Sequence, residues 1–200
     1  MVRRRRWPST WTKLHSSFTA QDGQPFSKAQ LDGKVWVADV FFTSCAGPCP
    51  ILSNNISEIA KQFAGEQGVH FASFTVDPDT DTPKVLTEYG KRYHQDPAQW
   101  TFLTGPIDKI QDLAKNGFKL GSGDTPLIHS EHFVLVDRKG RIRGYFIGTQ
   151  PEEVLKLKAA IERGRVGLDE QASAHDLERL PARCRPPLIG DATHHVLQAL

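Results

Sequence analysis

The chain has 200 residues, of which 38% are hydrophobic and 24% charged, and its formal net charge is +2. That is one globular domain with tails, with enough apolar mass for a core and too little charge for a general nucleic-acid binder. Three cysteines are an odd number and too few for a disulfide-stapled fold, and no apolar run approaches the ~18 residues of a membrane span. The charge is uneven. Residues 1–14 hold Arg3, Arg4, Arg5, Arg6 and Lys13 with no acid, whereas 166–200 hold three arginines against five acids. The opening MVRRRRWPSTW has no apolar stretch behind its charged start, so it does not read as a signal peptide.

The arm 1–14 has no periodicity and reads as poorly ordered. In FTAQDGQPF, 18–26, Asp22-Gly23 separates two short segments as in a β-hairpin. LDGK at 31–34 is a turn, and VWVADVFF at 35–42 reads as a central strand covered on both faces. Cys45-Ala46-Gly47-Pro48-Cys49-Pro50 follows, then a helix whose apolar face is Ile51, Leu52, Ile56, Ile59, Ala60 and Phe63. Gly65 and Gly68 end it. VHFASFTV at 69–76 is a strand. DPDTDTP at 77–83 is a turn that becomes a helix start, with Thr82 as N-cap and Pro83 in the first helical position. That helix runs to about Tyr93. A short strand at 100–103, a helix at 106–116 and a glycine-rich loop at 118–128 come next. The segments 133–136 and 142–147 flank the turn Asp137–Gly140 as a hairpin, and a last helix spans about 151–163 after Thr149 as cap. This order predicts a thioredoxin-like three-layer α/β sandwich: a mainly parallel central sheet, an N-terminal hairpin, and a C-terminal β-hairpin plus helix. The domain is expected over 15–165, between the arm 1–14 and a poorly ordered tail 166–200.

Cys45 and Cys49 stand where the first central strand feeds its helix. A helix N-terminus offers unpaired N–H groups and about half a positive charge, both of which favour thiolate. The spacer Ala-Gly-Pro lets the two sulfurs converge, so the pair can close a disulfide or chelate a soft metal. The plain alternative is two buried cysteines acting as small hydrophobes. Redox enzymes of thioredoxin type use the tighter CxxC, and the extra residue here leaves room for a metal. Among eight histidines, His129 is the candidate third ligand, because it follows the glycine-rich loop and shortly precedes a strand. His132 reads as a structural or surface residue. Two thiolates and one imidazole suit copper.

FFTSCAGPCPILSNNI resembles the copper-site motif of the Sco/SenC proteins, roughly F-x-T-x-C-x-x-x-C-P. TVDPDTDTPKVLTEYGKRY resembles that family's V-D-P-x-x-D-T-P block, and IHSEHFVLVDRKGRIRGYF resembles its third block, a histidine followed by a hairpin. Together the three cover about 18–163 in order. The resemblance implies a thioredoxin fold with one copper, Cu(I) or Cu(II), per chain, held by Cys45, Cys49 and His129. It implies that Pro50, Asp77 and Asp81 are outer-sphere or structural residues. The implied function is copper delivery to, or reduction of, the cysteines of the CuA-bearing subunit of cytochrome c oxidase, with another copper chaperone as a further partner. No nucleic acid is implied. The implied placement is extracytoplasmic, at the periplasmic face of the inner membrane, although an arginine-rich stub stands where most members carry an anchor. The tail, with Cys184, His194 and His195, has no family counterpart and reads as loosely ordered rather than as a second metal site.

The cysteine pair leaves other functions open. A thiol–disulfide oxidoreductase without metal delivery would use Cys45 and Cys49 as a catalytic redox pair and would not need His129. A thiol peroxidase is disfavoured, because VFFTS before Cys45 lacks the proline expected there. A copper sensor or an oxidase-assembly adaptor would need the same ligands as a chaperone.

Overall fold

The computed structural model describes residues 18–121 and 130–165. In chain order the elements are β1 (Phe18–Ala20), β2 (Pro25–Phe26), a 3-10 turn (Lys28–Gln30), β3 (Val35–Phe41), α1 (Pro48–Gln62), β4 (Val69–Thr75), α2 (Pro83–Arg92), β5 (Trp100–Thr104), α3 (Ile107–Asp112), β6 (His132–Val136), β7 (Ile142–Ile147) and α4 (Pro151–Arg165). Seven strands form one sheet in the order β2-β1-β5-β4-β3-β6-β7.

The expected parallel character is confined to the middle. β3 pairs with β4 and β4 with β5 in parallel, while β1 on β5 and β6 on β3 are antiparallel, as are the outer hairpins. The sheet is therefore mixed. A helical crossover is long enough to return the chain to the same end, whereas the short turns β1–β2 and β6–β7 can join only antiparallel neighbours. The helix expected over 106–116 is also split: α3 stops at Asp112 and Leu113–Gly117 forms one π-helical turn, closed by the Phe118 N–H on the Leu113 carbonyl at 2.7 Å. Thr82 caps α2 as expected, accepting from the Val85 N–H at 3.5 Å. Thr149 instead donates its hydroxyl to Glu131, at 2.7 Å.

Every residue of β3 and β4 is buried, so alternate side chains feed two cores. Trp36, Ala38 and Val40 face one core with Ile110 and Leu113. Val35, Val37 and Phe41 face the other with Leu52, Ile56 and Ile59 of α1, Leu86 and Tyr89 of α2, and Val154, Leu157 and Ile161 of α4. These are the three layers. The second core is closed at β7 by Gly148, where an added Cβ would stand 2.4 Å from Leu52 Cδ2 and 2.5 Å from Phe133 Cε2. Gly148→Ala is therefore expected to cost about 3 kcal/mol through overpacking. An unchanged urea midpoint would show that the wall yields.

Candidate functional site

β3 ends at Phe41, and the Cys45 N–H turns back onto the Phe42 carbonyl at 3.2 Å. Gly47 is the N-cap of α1, with no side chain to cap it. Pro48 and Pro50 occupy the first turn, where the missing N–H groups have no intrahelical partner to lose. Cys49 lies between them, buried against Leu52 and Phe41, while Cys45 in the loop remains partly exposed. The position that a Cβ on Gly47 would take is 4.0 Å from Cys45 Sγ, so the glycine leaves the approach to that sulfur open.

Both thiols are free, and they are unequal. Burial acts to raise the Cys45 pKa, but the Cys49 thiol and the backbone N–H groups of Cys49 and Gly47 hydrogen-bond its sulfur and together lower it. Cys49 is pushed up to about 12, first by burial and then because its proton is held by Cys45. Cys45 is therefore the thiol that ionises first, and Cys49 the one that keeps its proton.

The loop is braced by a carboxylate. Asp81 is fully buried; its Oδ2 accepts from the Thr43 N–H at 3.0 Å and from the Thr75 hydroxyl, and its Oδ1 accepts from the Thr43 hydroxyl. Thr43 is two residues before Cys45, so the turn after β4 holds the loop after β3. Asp77 works through its backbone: its N–H donates to Thr75 Oγ1 at 3.0 Å, and its carbonyl accepts from the Thr80 and Asp81 N–H groups. Pro50 is part of the first turn of α1. His129 lies outside the described residues, as do Cys184, His194 and His195. β6 runs antiparallel to β3, so its start at His132, three residues after His129, lies at the end where β3 delivers Cys45. His132 itself bonds with Ser130, its N–H reaching Oγ at 3.2 Å. Among the described residues no group of three His, Cys, Asp or Glu side chains could hold a metal, and no helix is long and apolar enough to cross a membrane.

A second carboxylate was missed in the sequence. Asp39 points into the same core as Cys49, accepts from the Ser73 hydroxyl at 2.5 Å, and Trp100 Nε1 in turn donates to Ser73 at 2.9 Å. Burial raises its pKa to about 7, against the lowering effect of the Ser73 bond. The signal was present: Asp39 is the one charged residue in VWVADVFF.

The family model described as SCO1/SenC matches residues 10–162. The chain belongs to the SCO1/SenC family. The SCO1 protein homolog of Bacillus subtilis is 33% identical over 140 residues, covering 67% of this chain and 72% of that one. A solved SCO1/SenC family lipoprotein from Bacillus anthracis is 32% identical and superposes with a TM-score of 0.69 over 82% of this chain and 99% of its own. BsSco, a Sco-family cytochrome c oxidase assembly protein in which a disulfide switch was identified, is 30% identical, with a TM-score of 0.63 over 75% of this chain and 91% of its own. The SCO1/SenC chain described here thus has the thioredoxin-like α/β fold, with its cysteine pair at the C-terminal end of the central strand.

Proposed function

We propose that this chain is a copper metallochaperone that binds one copper on Cys45, Cys49 and His129 and passes it to the CuA-bearing subunit of cytochrome c oxidase, at an extracytoplasmic membrane face. The observation that carries this reading is the convergence of two free thiols on one hydrogen bond. Two soft donors are thereby placed on one point, at the loop between β3 and α1, with one sulfur open to a partner. Copper is the cargo, and thiolate donors select it as Cu(I). Support also comes from membership of the family, and from related proteins of Bradyrhizobium japonicum and yeast solved with copper bound. The antiparallel entry of β6 supports His129 as the third donor, because the strand that begins three residues later starts at the Cys45 end. Three donors leave one side for a partner's thiolate to enter and take the metal by exchange. A disulfide between Cys45 and Cys49 offers no thiolate, so oxidation would empty the site.

A reductase reading is favoured by one further observation, the inequality of the two thiols. A partly exposed thiol that ionises first, next to a buried thiol that keeps its proton, is the pairing that attacks a partner's disulfide and then resolves the mixed disulfide.

Copper titration of the reduced chain tests the donor set. Cys45→Ala and Cys49→Ala are each expected to weaken binding by more than ~100-fold, beyond the usual cost of an outer-sphere change. His129→Ala is expected to weaken it and alter the copper spectrum. Unchanged affinity and spectrum in His129→Ala would remove the histidine from the site.

A further inference from the structure

Four large aliphatic side chains stand exposed among the described residues: Ile51, Val85, Ile107 and Leu155, from 36% to 64% accessible. Each belongs to the first or second turn of a helix that follows a strand running toward the Cys45 end: β3 into α1, β4 into α2, β5 into α3 and β7 into α4. All four therefore lie at that end. Hydrogen bonds place two of the helices against α1. Ser53 meets the Tyr89 hydroxyl at 2.9 Å and Ser57 donates to the Tyr93 carbonyl at 2.7 Å, pairs that share an offset of 36 residues. Ile51 stands in the first turn of α1 with Cys49, and Val85 in the first turn of α2. Asn55 Nδ2 donates to the Gly148 carbonyl at 2.7 Å, tying α1 to the entry of α4.

The charge at this end is acidic in excess. The connections out of these strands, the entry to β6 and the first helical turns carry Asp77, Asp79, Asp108, Glu131, Glu152 and Glu153 against Lys84 and Lys109. Glu153 is bound to Lys156 at 2.7 Å. The opposite end is mixed with a basic excess, carrying Lys34, Lys91, Arg92, Arg138, Lys139, Arg141, Arg163 and Arg165 against Asp32, Glu66, Asp96, Asp137 and Glu162. Acids in first turns offset the positive ends of helix dipoles, which accounts for Asp108, Glu152 and Glu153. Dipoles give no reason to expose Ile51, Val85 and Leu155 on the helices of the Cys49 layer at the end that carries a reactive thiol, or Ile107 at the same end of the opposite layer. Apolar groups rimmed by charge mark interaction surfaces.

We propose that the Cys45 end is a docking face for a protein segment that presents its cysteines among apolar side chains and flanks them with lysine or arginine. This rests on the thiol-exchange reading above and adds the partner's character: aliphatic contact at the Cys45 end holds the segment, and the acidic rim selects and steers it.

The test uses three oxidised probes on the reduced full chain. Two are synthetic peptides with the same intramolecular disulfide loop and flanking leucines, one bearing four lysines and the other four glutamates. The third is neutral hydroxyethyl disulfide. In each reaction the Cys45 thiolate attacks one probe sulfur and expels the other as a thiolate. The Cys49 thiol then gives its proton to the expelled thiolate, attacks the Cys45 sulfur and releases the second probe sulfur. Two electrons pass from the protein dithiol to the probe disulfide. At ~10 mM salt the lysine peptide is expected to react ~10-fold faster than the glutamate peptide, and the two rates to converge near ~0.5 M salt, where the Debye length has shrunk below contact range. In Ile51→Ser/Val85→Ser, the lysine-peptide rate divided by the hydroxyethyl disulfide rate of the same variant is expected to fall about fivefold. In Asp79→Lys/Glu152→Lys the preference for the lysine peptide should shrink severalfold. If hydroxyethyl disulfide oxidises the chain but the two peptides react alike at low salt, or the Ile51/Val85 ratio does not move, the docking face is wrong and the thiol chemistry stands. If hydroxyethyl disulfide leaves the chain reduced, the exchange chemistry fails and the docking face falls with it.

Discussion

Asp81→Ala is expected to destabilise the reduced protein by about 3–5 kcal/mol, because it strips a buried carboxylate from three donors at once. The Thr43 N–H, the Thr43 hydroxyl and the Thr75 hydroxyl all end on its two oxygens, and Asp81 is fully buried. Asp81→Asn keeps one carbonyl acceptor and adds a donor that a threonine hydroxyl can accept, so about half the loss should return. Asp77→Ala is the control within the same motif. The Asp77 hydrogen bonds in this turn run through its backbone, and the change should stay within about 1 kcal/mol. Because Thr43 anchors the loop two residues before Cys45, Asp81→Ala should also weaken copper binding ~10- to 100-fold. Urea unfolding and copper titration of the three variants check both effects. Equal losses in Asp77→Ala and Asp81→Ala would mean that no brace exists.

That brace shows where sequence reading stops. The helices were legible because their apolar spacing, Leu52, Ile56 and Ile59 in α1 for instance, is a local signal. β3 was legible as a central strand from its unbroken apolar run, and the reactive pair from two cysteines set among glycine and prolines at a helix start. The hydrogen bonds between Asp81 and Thr43 join residues 38 positions apart, and no local pattern announces such a pair. Strand direction failed for the same reason. β1 and β6 look like any other strand, and only their three-dimensional neighbours make them antiparallel. The π turn at Leu113–Gly117 inserts one residue into a helical pattern without disturbing its composition. Asp39 is a different lapse: a single acid in a buried strand is a local signal, and its burial follows directly from the apolar run around it.

Asp39 and His70 carry pH effects in the acid-to-neutral range, and they act in opposite directions. His70 on β4 is 4% exposed, with Nε2 on Thr101 Oγ1 at 3.0 Å, its ring stacked on Phe26, and Nδ1 without a hydrogen-bond partner. Burial, with a smaller contribution from the Lys34 charge, lowers its pKa to about 3 from 6.5. The fold thus prefers neutral His70; its contribution is complete above pH ~6.5 and is lost as pH falls toward 3. Asp39, raised from 3.8 to about 7 by burial, is preferred protonated; its contribution is complete below pH ~3.8 and is lost as pH rises through 7. Between pH ~4 and ~6.5 the unfolded chain holds one more proton on His70 and one fewer on Asp39, so the two slopes cancel and stability should be nearly flat. Single substitutions expose each slope. Asp39→Asn should be more stable than the parent at pH 8 by a few kcal/mol, and should lose about 3 kcal/mol between pH 6.5 and 4.5, at ~1.4 kcal/mol per pH unit. His70→Gln should gain stability over the same interval, by a similar amount. Urea midpoints of the parent and both variants at pH 4.5, 6.5 and 8 decide the matter. Parallel pH profiles for all three proteins would show that neither group is held away from its unfolded pKa, and that the core beneath Cys49 admits water.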